Sequence, residues 1–268
     1  MTGPSDQAGA PAPDFALEGI RINLPTMEAA VSSVVEASRE GQAFSLYTLN
    51  LDHCVKLRHD AEFRDAYQRA RFVTADGFPV VMLARLFGSP VRRTTGADMV
   101  RPLCAAAARH GLPVFLFGTN DSVLARSAAA LRQSYPGLKV VGTYAPSRDF
   151  EPDSAEADDA ILRIGTSGAR LCLVALGAPK QELFADRATQ RLDGVGFACV
   201  GASLDFIVGE QVRAPAALQR LKLEWLWRLA HNPRRLGPRY ARCAMLLAGY
   251  ALRAPFALMS AERTLGRA

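Results

Sequence analysis

Six short, almost wholly apolar runs, each four to seven residues long, constrain the fold of this chain more than any other feature. They lie at 44–50, 72–75, 113–117, 138–143, 170–176 and 197–200. Strands that are apolar along their whole length suit a sheet covered on both faces. Between them, helical apolar spacing occurs at 52–69, 78–87, 97–110, 122–134, 154–166 and 179–190. The alternation predicts an α/β fold: a largely parallel, Rossmann-like sheet flanked by helices.

The two ends of the chain differ from this central region. Residues 1–14 are rich in Gly, Pro and Ala and lack a basic start followed by an apolar stretch, so we expect a disordered tail and no secretion signal. After Ala214-Pro215 the strand patterns stop, and two helices are predicted at 216–230 and 234–252, broken at Asn232-Pro233. The predicted organisation is a tail (1–14), an α/β catalytic core (15–214) and a basic helical appendage (215–268).

Charge is distributed unevenly between core and appendage. The net charge is +6, but residues 213–268 carry +9 and residues 1–212 carry −3. Such an asymmetry is typical of proteins that bind a polyanionic partner, either nucleic acid or an anionic membrane. The apolar stretch at 243–252 is too short to span a bilayer, and we expect it to lie on the membrane surface.

Cysteine and histidine placement argues against a metal or disulfide framework. The five cysteines are scattered without a Cys-x-x-Cys pair and are expected to be small buried apolar residues in a reducing compartment. His53, His59, His110 and His231 are isolated, and surface or capping roles are expected for them. No Asp-x-Asp follows a strand to hold a divalent ion on a diphosphate.

Polar and small residues directly after the strands are the natural candidates for chemistry, because α/β sheets bind ligands beyond the carboxyl ends of their strands. Asp76 either caps the following helix or acts as a general base that activates a sugar hydroxyl, and Thr48 is similarly ambiguous. Gly118, Gly177 and Gly201 either make turns or let backbone N–H groups approach a phosphate.

Taken together, these junctions resemble the bacterial WecG/TagA/CpsF family of glycosyltransferases over residues 45–240. The pieces that carry the resemblance are Thr48-Leu49-Asn50, Ala75-Asp76-Gly77, Thr95-Gly96-Ala97-Asp98, 115–118, 176–182, 209–215 with its Arg213-Ala214-Pro215 ending, and 223–229. Their order and spacing make a chance match improbable.

The resemblance implies an inverting, metal-independent transfer that needs no cofactor. A hexose-type sugar (N-acetylmannosamine, its uronic acid, or glucose) would move from a UDP-sugar to an undecaprenyl-diphosphate-linked acceptor. The enzyme would lie on the cytoplasmic face of the inner membrane and serve cell-surface polysaccharide synthesis. Self-association into a homo-oligomer is left open, and no nucleic-acid partner is expected.

The resemblance also assigns roles to residues. Asp76 would be the base, and Thr48 and Gln181 would line the site. Arg228 and Arg235 would engage the lipid diphosphate, with Arg239 substituting for an arginine that is frequent in the family where Pro238 stands. The remaining substrate-binding candidates come from the same junctions: Asn50, Gly118, Gly177, Pro179, Glu182, Gly201 and Asp205.

Two other classes of protein remain as alternatives. A nucleotide-sugar epimerase or dehydrogenase would share a cleft at the strand ends, but the chain has neither a Gly-x-Gly-x-x-Gly fingerprint nor a Tyr-x-x-x-Lys pair. A non-catalytic nucleic-acid binder would use the basic appendage but leaves Asp76 and Gln181 unexplained.

Overall fold

The computed structural model describes residues 15–265 except Arg213 and Lys222, with backbone alone for Ala216, Gln219, Arg228, Arg235 and residues 253–265. Its centre is a six-stranded sheet in the order β4-β3-β8-β7-β5-β6, with every neighbouring pair parallel. The strands are β3 (Phe44–Leu49), β4 (Phe72–Ala75), β5 (Val114–Gly118), β6 (Val140–Tyr144), β7 (Leu171–Ala175) and β8 (Gly196–Cys199). Two short strands, β1 (Ala16–Leu17) and β2 (Ile20–Arg21), form a separate antiparallel pair.

Helices connect the strands and cover both faces of the sheet. Those of the core are α1 (Met27–Arg39), α2 (Leu51–Leu57), α3 (Ala61–Arg69), α4 (Phe78–Leu86), α5 (Gly96–His110), α6 (Asp121–Ser134), α7 (Ala155–Thr166), α8 (Lys180–Thr189) and α9 (Ser203–Ile207). Apolar residues of α1, α5, α6 and α9 pack on one face of the sheet, and those of α2, α3, α4, α7 and α8 pack on the other. Strands buried on both sides explain why their sequences do not alternate.

The predicted α/β fold is confirmed, with all six predicted strands present and fully parallel. Two predicted helices are wrong, because each is two helices in the structure. The predicted helix 52–69 is divided where Asp60 accepts a hydrogen bond from the Phe63 N–H and starts α3. The predicted helix 216–230 is divided into Ala216–Arg220 and Glu224–His231. Helices α1 and α9 and the β1/β2 pair were not predicted. All five cysteines are free and buried, as expected for small apolar residues.

The appendage consists of α10 (Ala216–Arg220), α11 (Glu224–His231) and α12 (Pro233–Leu265), with the last two separated at Asn232. Helix α12 packs against α2 and buries Cys243 and Leu246 in the core. One side of the stretch 243–252 therefore packs on the core, and only its other sides are available for contact with a membrane. Met245 and Leu252, on other sides of the helix, are 67% and 75% exposed.

Side-chain contacts fasten α12 to the start of the described chain. The Tyr250 hydroxyl donates to Glu18, which also pairs with Arg58 at 2.7 Å, and the Arg58 guanidinium lies 5.5 Å from the centre of the Tyr250 ring. None of the helices in the described part of the chain combines the length and apolar content that crossing a bilayer needs.

Candidate active site

Because the six strands are parallel, their carboxyl ends lie at one edge of the sheet, here called the carboxyl edge. The sheet order places a topological switch point there. From β7 the chain passes to β8 on one side, whereas from β5 it passes to β6 on the other, and β5 and β7 are neighbours. Ligands of open α/β sheets bind in the crevice at such a point, which here lies between the loops that follow β5 and β7.

The β5–α6 loop has a backbone that only a few residue types tolerate. Gly118 has φ of 118°, and a Cβ there would lie 2.3 Å from the carbonyl oxygen of Ala175 on β7. Thr119 also has positive φ, at 43°, and its N–H donates to the same carbonyl over 3.1 Å. Asn120 then caps α6 by accepting from the Val123 N–H. The N-terminus of the 14-residue helix α6 is thereby held at the switch point.

Asp76 lies directly beyond β4 at the carboxyl edge and is half-buried. Its N–H donates to the Leu49 carbonyl at the end of β3 over 2.8 Å, which fixes its backbone between two strands. The capping alternative for Asp76 is wrong, because the N-cap of α4 is Gly77, with φ of 92° and no side-chain cap. Asp76 therefore lies at the carboxyl edge of the sheet, one residue before the N-cap of α4.

Thr48 lies one residue before the end of β3 and is buried opposite Thr74 of β4. It shares the sheet face of Phe44 and Leu46, on the side covered by α5. The Thr74 hydroxyl donates to the Thr94 carbonyl over 3.0 Å, and the Thr94 N–H donates to Ala75 over 2.8 Å. These bonds fasten the segment before α5 beside Asp76.

Gln181 and Glu182 form a buried polar pair at the start of α8. The Gln181 amide nitrogen donates to Glu182 Oε1 over 2.7 Å, and Gln181 Oε1 accepts from the Gly201 N–H over 3.0 Å. Glu182 is wholly buried, and its burial raises the pKa of the carboxyl group to about 8, against the hydrogen bond from Gln181. Its side chain thus has no surface exposed at the carboxyl edge in this structure.

Other predicted site residues occupy structural positions at the same edge. Asn50 is the N-cap of α2 and accepts from the His53 N–H over 3.0 Å. Pro179 precedes α8 and follows a cis peptide bond, while Gly177 is exposed within the loop between β7 and α8. Asp205, on α9, is buried and accepts a hydrogen bond from Thr119.

The appendage arginines are placed only in part. The side chains of Arg228 and Arg235 lie outside the described part of the structure, as does all of Arg213. Arg239 Nε lies 3.1 Å from Asp52 Oδ1 on α2. Burial disfavours ionisation of Asp52, but Arg239 and Lys56 outweigh it and lower the pKa of that carboxyl. In this structure, then, Arg239 helps to dock α12 on the core.

Arg93 was not predicted from the sequence but connects the core to the appendage. Its guanidinium lies 3.1 Å from Asp98 at the start of α5 and 3.9 Å from Glu224 on α11. Asp98 also accepts from the Thr95 hydroxyl, so Arg93 belongs to the polar network of the Thr95-Gly96-Ala97-Asp98 motif. The only signal in the sequence was that Arg93 closely precedes that motif.

His53 was expected to be a surface or capping residue, and that prediction is wrong. The imidazole is buried, and its Nδ1 lies 2.6 Å from the Tyr67 hydroxyl. Burial lowers the pKa of His53 to about 3, so the ring is neutral at physiological pH. His59, His110 and His231 are exposed.

An open cleft of about 650 Å³ lies beside the switch point, beyond β5 and β6. Its wall includes Thr119, Asn120 and Asp121 on one side and Ser147, Arg148 and Glu156 on the other. Hydrogen bonds from the Ser147 hydroxyl and N–H lower the pKa of Glu156, which is therefore a carboxylate. Within the described residues, no group of three or more His, Cys, Asp and Glu side chains is arranged as a metal site.

A parallel doubly wound sheet with polar residues at its carboxyl edge is a Rossmann-like α/β arrangement, and ligands of such sheets bind beyond the strand ends. The sequence model described as the "Glycosyl transferase WecG/TagA/CpsF family" matches residues 15–260. The chain belongs to this family and is a glycosyltransferase, which removes the epimerase, dehydrogenase and nucleic-acid-binder alternatives.

Proposed function

We propose that this protein is an inverting glycosyltransferase that transfers a hexose-type sugar from a UDP-sugar to an undecaprenyl-diphosphate-linked acceptor. Family membership supports a nucleotide-sugar donor and an acceptor. The observation that carries the proposal is the position of Asp76, which lies directly beyond β4 at the carboxyl edge and donates its N–H to the Leu49 carbonyl at the end of β3 over 2.8 Å.

Asp76 is the proposed general base. An acceptor hydroxyl attacks the anomeric carbon of the donor sugar as its proton passes to the Asp76 carboxylate. The bond between the anomeric carbon and the diphosphate oxygen breaks, and UDP leaves with the electron pair. Attack from the face opposite the leaving group inverts the configuration. A sugar hydroxyl is a poor nucleophile until a carboxylate takes its proton, so general-base catalysis is the central requirement.

The donor is proposed to lie across the switch point. Backbone N–H groups at the start of α6, together with the positive end of the helix dipole, suit its diphosphate. The adjoining cleft offers the carboxylates of Asp121 and Glu156. Carboxylates repel phosphates but accept hydrogen bonds from ribose hydroxyls, so the cleft suits the nucleoside. No cofactor or metal ion is required in this proposal.

The acceptor is proposed to approach from an anionic membrane on the cytoplasmic face, with the appendage as the peripheral attachment. Residues 213–268 carry a charge of +9, and Arg234 and Arg242 are exposed on α12. Basic residues are attracted to an anionic leaflet by about 1 kcal/mol each. Arg228 and Arg235 remain the proposed ligands of the acceptor diphosphate, since a guanidinium can form two parallel hydrogen bonds with a phosphate.

The experiment that tests this function offers the full chain a panel of UDP-sugars with a short-chain prenyl-diphosphate-linked sugar acceptor. We expect one donor to give a product with inverted anomeric configuration, identified by mass spectrometry and NMR. Transfer from a different nucleotide-sugar class, retention of configuration, or transfer only to acceptors without a lipid diphosphate would each overturn part of the proposal.

A further inference from the structure

Glu182, Gln181 and Tyr47 form a buried polar cluster, and the proposed chemistry does not use Glu182. Tyr47 of β3 donates its hydroxyl to the Glu182 backbone carbonyl over 2.9 Å, and Gln181 donates to the Glu182 side chain. The second carboxyl oxygen, Oε2, is buried without a hydrogen-bond partner among the described residues. A buried carboxylate with an unmatched oxygen is costly, whereas a neutral acid is much less so.

The groups around Glu182 determine whether it holds a charge. Lys56 and Asp52, both on α2, act on it in opposite directions. Tyr47, Tyr67 of α3 and Cys199 of β8 also face the cluster, and burial raises the pKa of each well above its usual range. These three groups are therefore neutral at physiological pH, and none of them supplies a cation for a carboxylate.

The hydrogen bonds of the Gln181 side chain connect Glu182 to the carboxyl edge of the sheet. An amide side chain has one donating and one accepting end, so a partner at one end fixes the direction of the other. Because Glu182 Oε1 accepts a hydrogen bond from the Gln181 amide nitrogen, Gln181 Oε1 points the other way and accepts from the Gly201 N–H over 3.0 Å. Gly201 has φ of 58° and precedes α9, which carries Asp205.

We propose that Glu182 is a positioning residue: as a neutral carboxylic acid it orients the Gln181 amide, and Gln181 in turn holds the β8–α9 turn at the carboxyl edge. The positioning role requires Glu182 to be protonated. Ionisation would place an uncompensated charge beside Gln181, and the cluster would then have to rearrange or admit water. The effect on catalysis rests on the proposed function, but the effect on Gly201 does not.

The test follows the Gly201 backbone and Gln181 side-chain amide resonances of the full chain, isotope-labelled on Gly and Gln, between pH 6 and 9.5. We expect both to titrate together with a midpoint near pH 8 in the wild type. In Glu182→Gln, which keeps an accepting oxygen but cannot ionise, both should stay near their low-pH wild-type positions at every pH. Glu182→Ala, which removes the acceptor, should displace them already at pH 6.5.

Infrared spectroscopy gives a second measurement that needs no activity. A protonated-carboxyl band present in the wild type at pH 6.5 should be absent in Glu182→Gln and should vanish in the wild type as pH passes 8. Wild-type resonances that do not move between pH 6 and 9.5, or the absence of the carboxyl band, would overturn the proposal. So would Glu182→Gln resonances displaced at pH 6.5 as far as those of Glu182→Ala.

Transfer assays then separate this proposal from the proposed function. The ratio of the wild-type rate to the Glu182→Gln rate should fall about tenfold between pH 7 and pH 9. The protonated fraction of a group with a pKa near 8 falls by the same factor over that range. If no donor supports transfer by the wild type, the proposed function fails, and the spectroscopic measurements still decide the role of Glu182. If transfer occurs with identical pH profiles in both proteins, the positioning role fails and the function stands.

Discussion

Thr119 on the β5–α6 loop donates its hydroxyl to Asp205 of α9 over 2.9 Å and so joins that loop to the helix that follows β8. Asp205 is 8% exposed, so little water is available to replace this donor. We expect Thr119→Val to lower the free energy of unfolding by about 1–3 kcal/mol, the cost of an unmatched buried polar group. Thr119→Ser keeps the hydroxyl and serves as the control. Equal stability of the two variants in urea unfolding would contradict this role.

Asp76 is expected to matter for transfer rather than for folding or donor binding. Because the N-cap of α4 is Gly77, Asp76→Asn removes no helix cap. We expect the Asn variant to bind UDP normally by calorimetry and to lose about 10²-fold or more in single-turnover rate, the scale of general-base catalysis. Asp193→Asn, an exposed carboxylate in a turn away from the site, is the matched control. Near-normal turnover by Asp76→Asn would remove the proposed base.

The sequence predicted the sheet well because strands buried on both faces are mostly apolar along their whole length, as 44–49 and 171–175 are. It predicted the position of Asp76 because residues after parallel strands meet at one edge. It did not predict the Glu182–Gln181–Gly201 chain, because which polar groups pair depends on the packing of β8 against α8. Nor did it predict buried His53, whose partner Tyr67 lies on a separate helix. Local patterns identify elements, whereas pairing partners depend on tertiary contacts.

Gly118 and Gly177 give a matched pair of glycines at neighbouring strand ends. A Cβ at Gly118 would lie 2.3 Å from the Ala175 carbonyl, and φ is 118°, whereas a Cβ at Gly177 would meet nothing within 4 Å. We expect Gly118→Ala to lower the free energy of unfolding by roughly 3 kcal/mol, the upper range for one strained residue. Gly177→Ala should be nearly neutral for folding. Comparable melting temperatures for the two variants would show that the β5–α6 loop does not need glycine.

Transfer is expected to survive removal of divalent metal ions. No Asp-x-Asp follows a strand in the sequence, and α6 presents backbone N–H groups where the donor diphosphate is proposed to lie. We expect the rate to change less than twofold after dialysis against EDTA, measured with and without added Mg²⁺ or Mn²⁺. A rate abolished by EDTA and restored by either ion would show that a metal neutralises the diphosphate.

Attachment to an anionic membrane is expected to depend on exposed arginines of α12. Deleting the appendage would not test this cleanly, because α12 buries Cys243 and Leu246 against the core and its loss would expose apolar surface on α2. Arg234 and Arg242 are exposed, and the Arg242 contact at Nε is to the Pro238 carbonyl one helical turn away. Replacing both by alanine removes charge without uncovering the core.

At about 1 kcal/mol for each basic residue near an anionic leaflet, the Arg234→Ala/Arg242→Ala variant should bind such vesicles roughly 30-fold more weakly. Sedimentation with vesicles containing anionic lipid, at low and physiological salt, measures this directly. A variant with Arg101 and Arg109 replaced by alanine loses the same charge from exposed positions on α5 and is the control. If the attraction reflects net charge alone, both double variants will weaken binding equally, and the membrane-facing role of α12 will be wrong. Loss confined to the α12 variant would support α12 as the membrane-facing element.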